Sequence, residues 1–329
     1  MRNLTTEQTD QPMATAFGTD KAIDRKSLKP FVKRDDRHGL IHLAGHGAAL
    51  GATGYLLYLS LGTWWAVPAM LAHGIVMAFL FAPVHECSHG TAFRSRWLNE
   101  TVFWMVSLIY LVPPTFFRYA HAAHHTYTQI RGNDPDMILP REPRLRHYLI
   151  YVSALPFWMR NIGWYLSHAA GRIDPAQRHF VPEAEVSRVV LEARVIIALY
   201  TAIAAGAVYF GSWAPVTFWI LPRLVGEPFM RWIRVAEHGG CAETGDLREN
   251  TRTTRAPGWL HFLFWNMSYH AEHHIAPMVP FHALPRLHEA VRDSLFPVGD
   301  GYFQVHAGIL RHLIRNGREA RKQSVGAAV

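Results

Sequence analysis

The sequence predicts an all-α integral membrane protein: about four transmembrane helices in two hairpins, interfacial helices between them, and a cytoplasmic cap carrying a histidine-rich site for two metal ions. Three observations predict it. Residues 41–84 contain no Asp, Glu, Lys or Arg, and a spanning helix needs about 20 mostly apolar residues, so this stretch has room for two crossings. Residues 195–222 are also uncharged and continue past Arg223 as a second hairpin. Finally, histidines cluster at helical spacing in three places, at 85–89, 121–125 and 270–274.

Taken in order, residues 1–38 form a cytoplasmic arm, in which Thr, Gln, Asp and Lys alternate without an apolar period. No apolar h-region opens the chain, so no cleaved signal peptide is expected. A membrane domain then occupies 39–305, with spans near 41–61, 64–84, 191–210 and 213–233. Both hairpin tips, "SLGTWWA" and "FGSWAP", lack basic residues and carry Trp64, Trp65 and Trp213 as an interfacial belt would. Lys26, Arg34, Arg94, Arg96, Arg118, Arg131, Arg248, Arg252 and Arg255 fall on the other side, which the positive-inside rule makes cytoplasmic.

Residues 98–117 are apolar for about one short span and break at Pro113-Pro114. Crossing there would strand the next histidine cluster on the opposite face, so an interfacial or re-entrant segment is expected. Residues 147–172 mix aromatics, aliphatics and two arginines, as a helix lying in the interface plane does. A basic tail, 306–329, ends the chain.

The net charge of +8 is spread along segments flanking the spans, where anionic lipid is the simpler partner, and no nucleic-acid module accompanies it. Two cysteines, Cys87 and Cys241, do not make a disulfide framework.

"VHECSHG" (84–90) spells H-E-x-x-H, the pattern that in zinc proteases gives two ligands, His85 and His89, and a base, Glu86. That reading leaves "HAAHH" (His121, His124, His125) and "HAEHH" (His270, His273, His274) unexplained, and places "GNDPD" in a polar loop where a protease would want its third ligand. On a helix, positions i, i+3 and i+4 share a face, so each cluster is expected to point its three imidazoles the same way. Eight imidazoles exceed the needs of one ion, and two ions fit better. Imidazole alone does not name the metal. Ligating imidazoles commonly donate their other N–H to a carboxylate or carbonyl, which makes Asp134, Asp136, Glu237, Glu272, Asn266 and Glu86 candidate supports. His73, inside an apolar span, is expected to be structural.

The ordered set "HECSHG", "HAAHH", "HAEHH", with paired spans before the first and between the second and third, resembles the membrane fatty acid desaturase superfamily, in its bacterial desaturase-like branch. The resemblance covers roughly residues 40–300 and is strongest from Asn250 to His288. It implies a non-haem diiron centre that uses O2 and two electrons to abstract hydrogen from an unactivated C–H bond. Fatty acid or acyl-lipid desaturation comes first, with hydroxylation, monooxygenation or oxidative demethylation of a small metabolite as the alternative. It implies His85, His89, His121, His124, His125, His270, His273 and His274 as iron ligands, and His238 in "RVAEHGG" as a ninth. Some members have a water-mediated Asn ligand four residues before that last histidine; here the position is Arg234, which puts this ligand in doubt. No fused cytochrome b5 is expected, so a ferredoxin or rubredoxin would supply electrons from the cytoplasmic side of the bacterial inner membrane. The basic residues from Arg248 to Arg255 offer it a surface.

Overall fold

The computed structural model describes residues 26–137, 139–295 and 298–326. The expected N-terminal arm therefore lies outside the described residues up to position 25. Helix α1 (Asp36–Ser60) starts where the Asp35 side chain accepts the His38 backbone N–H at 2.9 Å, satisfying one of the donors that a helix start leaves open. After a turn, α2 (Ala66–Ala78) and α3 (Phe81–Ser88) continue as one apolar stretch, Ala66–Ser88.

α4 (Arg96–Tyr110) and α5 (Pro114–Thr126) are bent by 97° relative to each other. The bend has a local cause. Leu111 takes a left-handed φ of 69°, and Pro113-Pro114 removes the backbone donors that would carry α4 onward. α6 (Leu145–Val152) and α7 (Leu155–Ala169) are divided in the same way at Ala154, with φ 63°. α8 (Glu183–Tyr209) follows, and a π-helical turn, Val216–Ile220, leads into α9 (Leu221–His238).

The remainder is short pieces: α10 (Leu247–Asn250), α11 (Gly258–Leu263), α12 (His270–Ile275), α13 (Leu284–Val291) and a long final helix, α14 (Tyr302–Gly326). A two-residue parallel pairing joins Thr253–Thr254 to Val298–Gly299.

Among the described residues, Ala66–Ser88 and α8 are long and apolar enough to cross a membrane, and the bent pair α4–α5 makes a third if it counts as one span. The spans expected near 41–61 and 213–233 fall on α1 and α9. Neither is among those helices, and α9 carries Arg223, Glu227, Arg231, Arg234 and Glu237.

Those charges are enclosed and paired. Glu227 receives Arg223 at 2.9 Å, Arg231 at 2.7 Å and the Tyr110 hydroxyl at 3.1 Å, and all three partners are buried. α9 also meets α2 backbone to backbone. A Cβ on Gly226 would overlap the Gly74 carbonyl, the close approach that small residues permit in membrane helix pairs. His73 binds Thr53 at 2.8 Å and the Phe218 carbonyl at 3.1 Å, tying α1 and the π-turn to α2. The main core, including Phe81, Tyr110, Met230, Trp265 and Phe281, is built from α3, α4, α9 and the 264–281 segment, the same elements that carry or adjoin the histidine clusters.

Candidate metal centre

α3 carries His85 and ends at His89; α5 carries His121, His124 and His125; α9 ends at His238; α12 carries His270, His273 and His274. The nine imidazoles sort into two sets. His85, His89, His121, His125 and His273 bring one ring nitrogen each within 4.8 Å of one another, and His124, His238, His270 and His274 do the same. Each set could hold a metal ion.

This corrects the expectation that each H-x-x-H-H cluster points one way. Positions i and i+4 differ by about 40° around a helix and i+3 lies about 60° to the other side, so the cluster straddles two directions. His121 and His125 enter the first set and His124 the second; His270 and His274 enter the second and His273 the first.

The spacing suits coordination. Nε2 atoms stand 2.9 Å apart for His89 and His121, and 3.1 Å for His121–His125, His125–His273, His238–His270 and His270–His274. Donors about 2.1 Å from one ion and at right angles to each other are about 3.0 Å apart. Both nitrogens of buried His85, and Nε2 of His124, lack any hydrogen-bond partner, which is costly for enclosed polar atoms, and a cation would take the one lone pair that each neutral ring offers. Burial first, and then the neighbouring imidazoles, hold His270, His273 and His274 well below the usual histidine range. They are neutral at physiological pH, the form a metal ligand needs.

In the second set three of the four ring orientations are fixed from behind. Asp134 accepts His124 Nδ1–H at 2.9 Å, and the Asn250 carbonyl accepts His238 Nδ1–H at 3.1 Å. Thr128, whose hydroxyl donates to the His124 carbonyl at 2.6 Å, accepts His274 Nδ1–H at 3.1 Å. Carboxylates and carbonyls only accept, so Nδ1 carries the proton and Nε2 is left for an ion.

The other expected supports stand elsewhere. Glu86 accepts the Thr91 hydroxyl at 2.8 Å and the Phe281 N–H at 3.1 Å, bracing the 281 loop and touching no imidazole of the sets. Asn266, at a left-handed φ of 57°, donates to the Phe281 carbonyl at 3.1 Å. Glu272 accepts from Thr253 and His288, which fixes α12 in place. Asp136 pairs with Arg234 at 3.1 Å and Arg160 at 3.5 Å. Burial works against its charge, but Arg234, His124 and Arg160 hold it well below the usual carboxylate range. Glu237 pairs with Arg234 at 3.2 Å and lies 3.6 Å from His270 Nε2.

Sequence reasoning missed Asn250, Thr128 and His288. Thr128 sits four residues after His124, where a helical hydroxyl reaches back to a carbonyl, a signal that was readable; Asn250 and His288 reach their partners only through the fold. The stretch from Arg248 to Arg255 does not form one open cationic face. Arg252 is buried and donates to the Ala236 and Gly239 carbonyls, Arg248 pairs with Asp246, and Arg255 pairs with Asp300.

A cavity of about 660 Å³ reaches His124 and His238 and is lined by Arg131, Asp134, Asp136, Arg234, Tyr148 and Ile309 among others. A separate apolar groove of about 750 Å³ runs between α7, α8 and the π-turn, and its lining contains no histidine.

The sequence pattern of the family described as fatty acid desaturase matches residues 62–306. The sn-1 oleoyl-lipid 12-desaturase of Anabaena variabilis is 25% identical over 72% of this chain and 71% of its own length. Its counterpart from a Picosynechococcus species is 21% identical over 72% of each. The sn-1 acyl-lipid omega-3 desaturase (ferredoxin) of a Synechocystis species is 24% identical over 73% of this chain and 71% of its own length. With that match and two convergent histidine sets, the chain belongs to the fatty acid desaturase family, and it is a desaturase-like non-haem diiron oxidoreductase with apolar helices suited to a membrane.

Proposed function

We propose that the chain is an O2-dependent enzyme that holds one iron on His85, His89, His121, His125 and His273 and a second on His124, His238, His270 and His274, and that it desaturates an acyl chain. The observation that carries this reading is the sorting of nine imidazoles into two sets with cis-ligand spacing. Neutral imidazole suits iron as well as zinc. The family adds iron to that choice. When bound, the irons supply dioxygen activation and hydrogen abstraction from a C–H bond. Desaturation then consumes one O2, two electrons and two protons, and returns an alkene and two waters.

The protein's part is positioning. Asp134, the Asn250 carbonyl and Thr128 keep three imidazoles in the tautomer that offers Nε2. Phe117 stacks on His121 and Phe81 lies tilted against His85, which keeps water from that side of the first set. Acyl-lipid substrates and a ferredoxin donor are what relatives' names carry. On this reading four helices cross the bilayer, the expected spans on α1 and α9 included, with both termini, the metal site and donor docking on the cytoplasmic side of a bacterial inner membrane.

A second reading, oxidation of a small polar or amphipathic metabolite, is favoured by the cavity itself. The space that reaches His124 and His238 sets Arg131, Asp134, Asp136 and Arg234 among apolar side chains, whereas the large groove between α7 and α8 is almost wholly apolar and reaches no histidine.

The test is mass spectrometry of lipid and aqueous fractions from cells making the protein with a ferredoxin and its reductase, against the His124→Ala variant. A lipid that has lost two hydrogens only with the wild type supports acyl desaturation. Unchanged lipids with an altered water-soluble compound support the second reading. Identical fractions in both, from cells shown to reduce the protein's iron, would defeat oxidation by this centre.

A further inference from the structure

The two sets are unequal: one has five imidazoles and the other four. Four neutral imidazoles bring no charge to a buried divalent ion, and an enclosed cation calls for a compensating anion. At the first set the nearest carboxylate in sequence, Glu86, is turned to Thr91 and the Phe281 N–H. At the second, Glu237 Oε2 stands 3.6 Å from His270 Nε2, the atom that converges on its neighbours, and both residues are buried.

Glu237 is only half accounted for by its protein contacts. Oε2 receives Arg234 Nε at 3.2 Å, while Oε1 is enclosed and has no hydrogen-bond partner. A buried carboxylate with an unmet oxygen is costly, and the adjoining four-histidine set offers it a counter-charge. Its orientation is over-determined: Arg234 binds Asp136 through Nη2 at 3.1 Å, and Arg160 lies 3.5 Å from the other Asp136 oxygen. Arg234 thus holds a carboxylate that lies one turn further along α9.

We propose that Glu237 is the anionic member of the four-histidine site, supplying the negative charge that its imidazoles lack, with Arg234 and Asp136 as the positioning residues that hold it there. This rests on the two-iron reading above.

The test uses the full chain, purified in detergent and loaded anaerobically with ferrous iron. Iron per chain, the rate at which a ferrous chelator withdraws it, and the iron Mössbauer spectrum are read for the wild type and for Glu237→Gln. Two irons are expected in the wild type. In Glu237→Gln one of them leaves about 10–100-fold faster, the other keeps its rate, and one of the two spectral components changes. The metal-free variant is expected to melt near the metal-free wild type, because the amide oxygen still accepts from Arg234 while the oxygen without a partner no longer carries charge.

Glu237→Asp, which keeps the charge but withdraws it by one methylene, is expected to fall between the two. Wild-type release rates and spectrum in Glu237→Gln would overturn the proposal. So would a lower melting temperature of the metal-free variant with unchanged iron, the signature of a merely structural ion pair. Should Glu237→Gln not fold, wild-type iron behaviour in Glu237→Asp would overturn it equally. A wild type that binds fewer than two irons would overturn the two-iron reading, and this inference with it.

Discussion

His125 and His273, 148 positions apart in the chain, meet Nε2 to Nε2 at 3.1 Å, while His274, adjacent to His273, turns to His270 at the same distance. Neighbours in sequence thus fall into different sets, and distant residues share one. The helical offset of about 100° between consecutive residues is what separates His273 from His274.

That sorting is testable by metal analysis. His273→Ala and His274→Ala are each expected to lose mainly one ion, and a different one. His125→Ala combined with His273→Ala strikes the same set and still leaves one ion, whereas His273→Ala with His274→Ala impairs both. Turnover is abolished in all of them. Equal loss of both ions in each single variant would contradict the grouping.

Asp134 acts through His124 without reaching the set itself. Asp134→Asn keeps the size but removes the charge that strengthens the hydrogen bond from His124 Nδ1–H. Iron affinity is expected to fall about 10–100-fold, read by chelator competition, with the helical content unchanged in circular dichroism.

The contact between His288 and Glu272 gives a pH signature. The hydrogen bond to Glu272 raises the His288 pKa from its ordinary 6.5, against partial burial. A folded-state pKa above the unfolded one means that the stabilisation is fully present below about pH 6.5 and is lost as pH rises through the raised value. The melting temperature of His288→Gln is therefore expected to fall furthest short of the wild type near pH 6, with the gap narrowing at alkaline pH. A gap that widens with pH would refute the pairing.

Glu227 joins two arginines and Tyr110 in an enclosed network. Removing the one carboxylate strands both cations. Glu227→Ala is expected to cost about 3–5 kcal/mol of stability, measured by denaturation in detergent. Glu227→Gln, which still accepts the Tyr110 hydroxyl, should cost less.

Gly226 faces the Gly74 backbone with no room for a methyl group. Gly226→Ala is expected to push α9 from α2 and lower the melting temperature, although alanine is the better helix former. Gly206, in α8, has nothing within reach of an added Cβ, and Gly206→Ala is the control that should be neutral or stabilising.

The sequence by itself determined the chemistry. Uncharged stretches at 41–84 and 195–222 and histidines at helical spacing are local patterns, and the helices and the eight box imidazoles can be read from them because hydropathy and helical period act over a few turns. The break at Pro113-Pro114 was legible for the same reason. Tertiary structure alone decided the partition of those eight, together with His238, into sets of five and four. It also decided what each carboxylate touches: Asp134 reaches the His124 ring, while Glu86 and Glu272, inside the motifs, brace the 281 loop and α12. It turned Arg252 inward and enclosed the charges of α9, against the reading of the first as a docking surface and of the second as part of a simple apolar span. The physical reason is common to these cases. A side chain's partner is set by the packing of helices that meet from remote parts of the chain, and sequence spacing fixes the direction in which a residue points along its own helix but not what waits there.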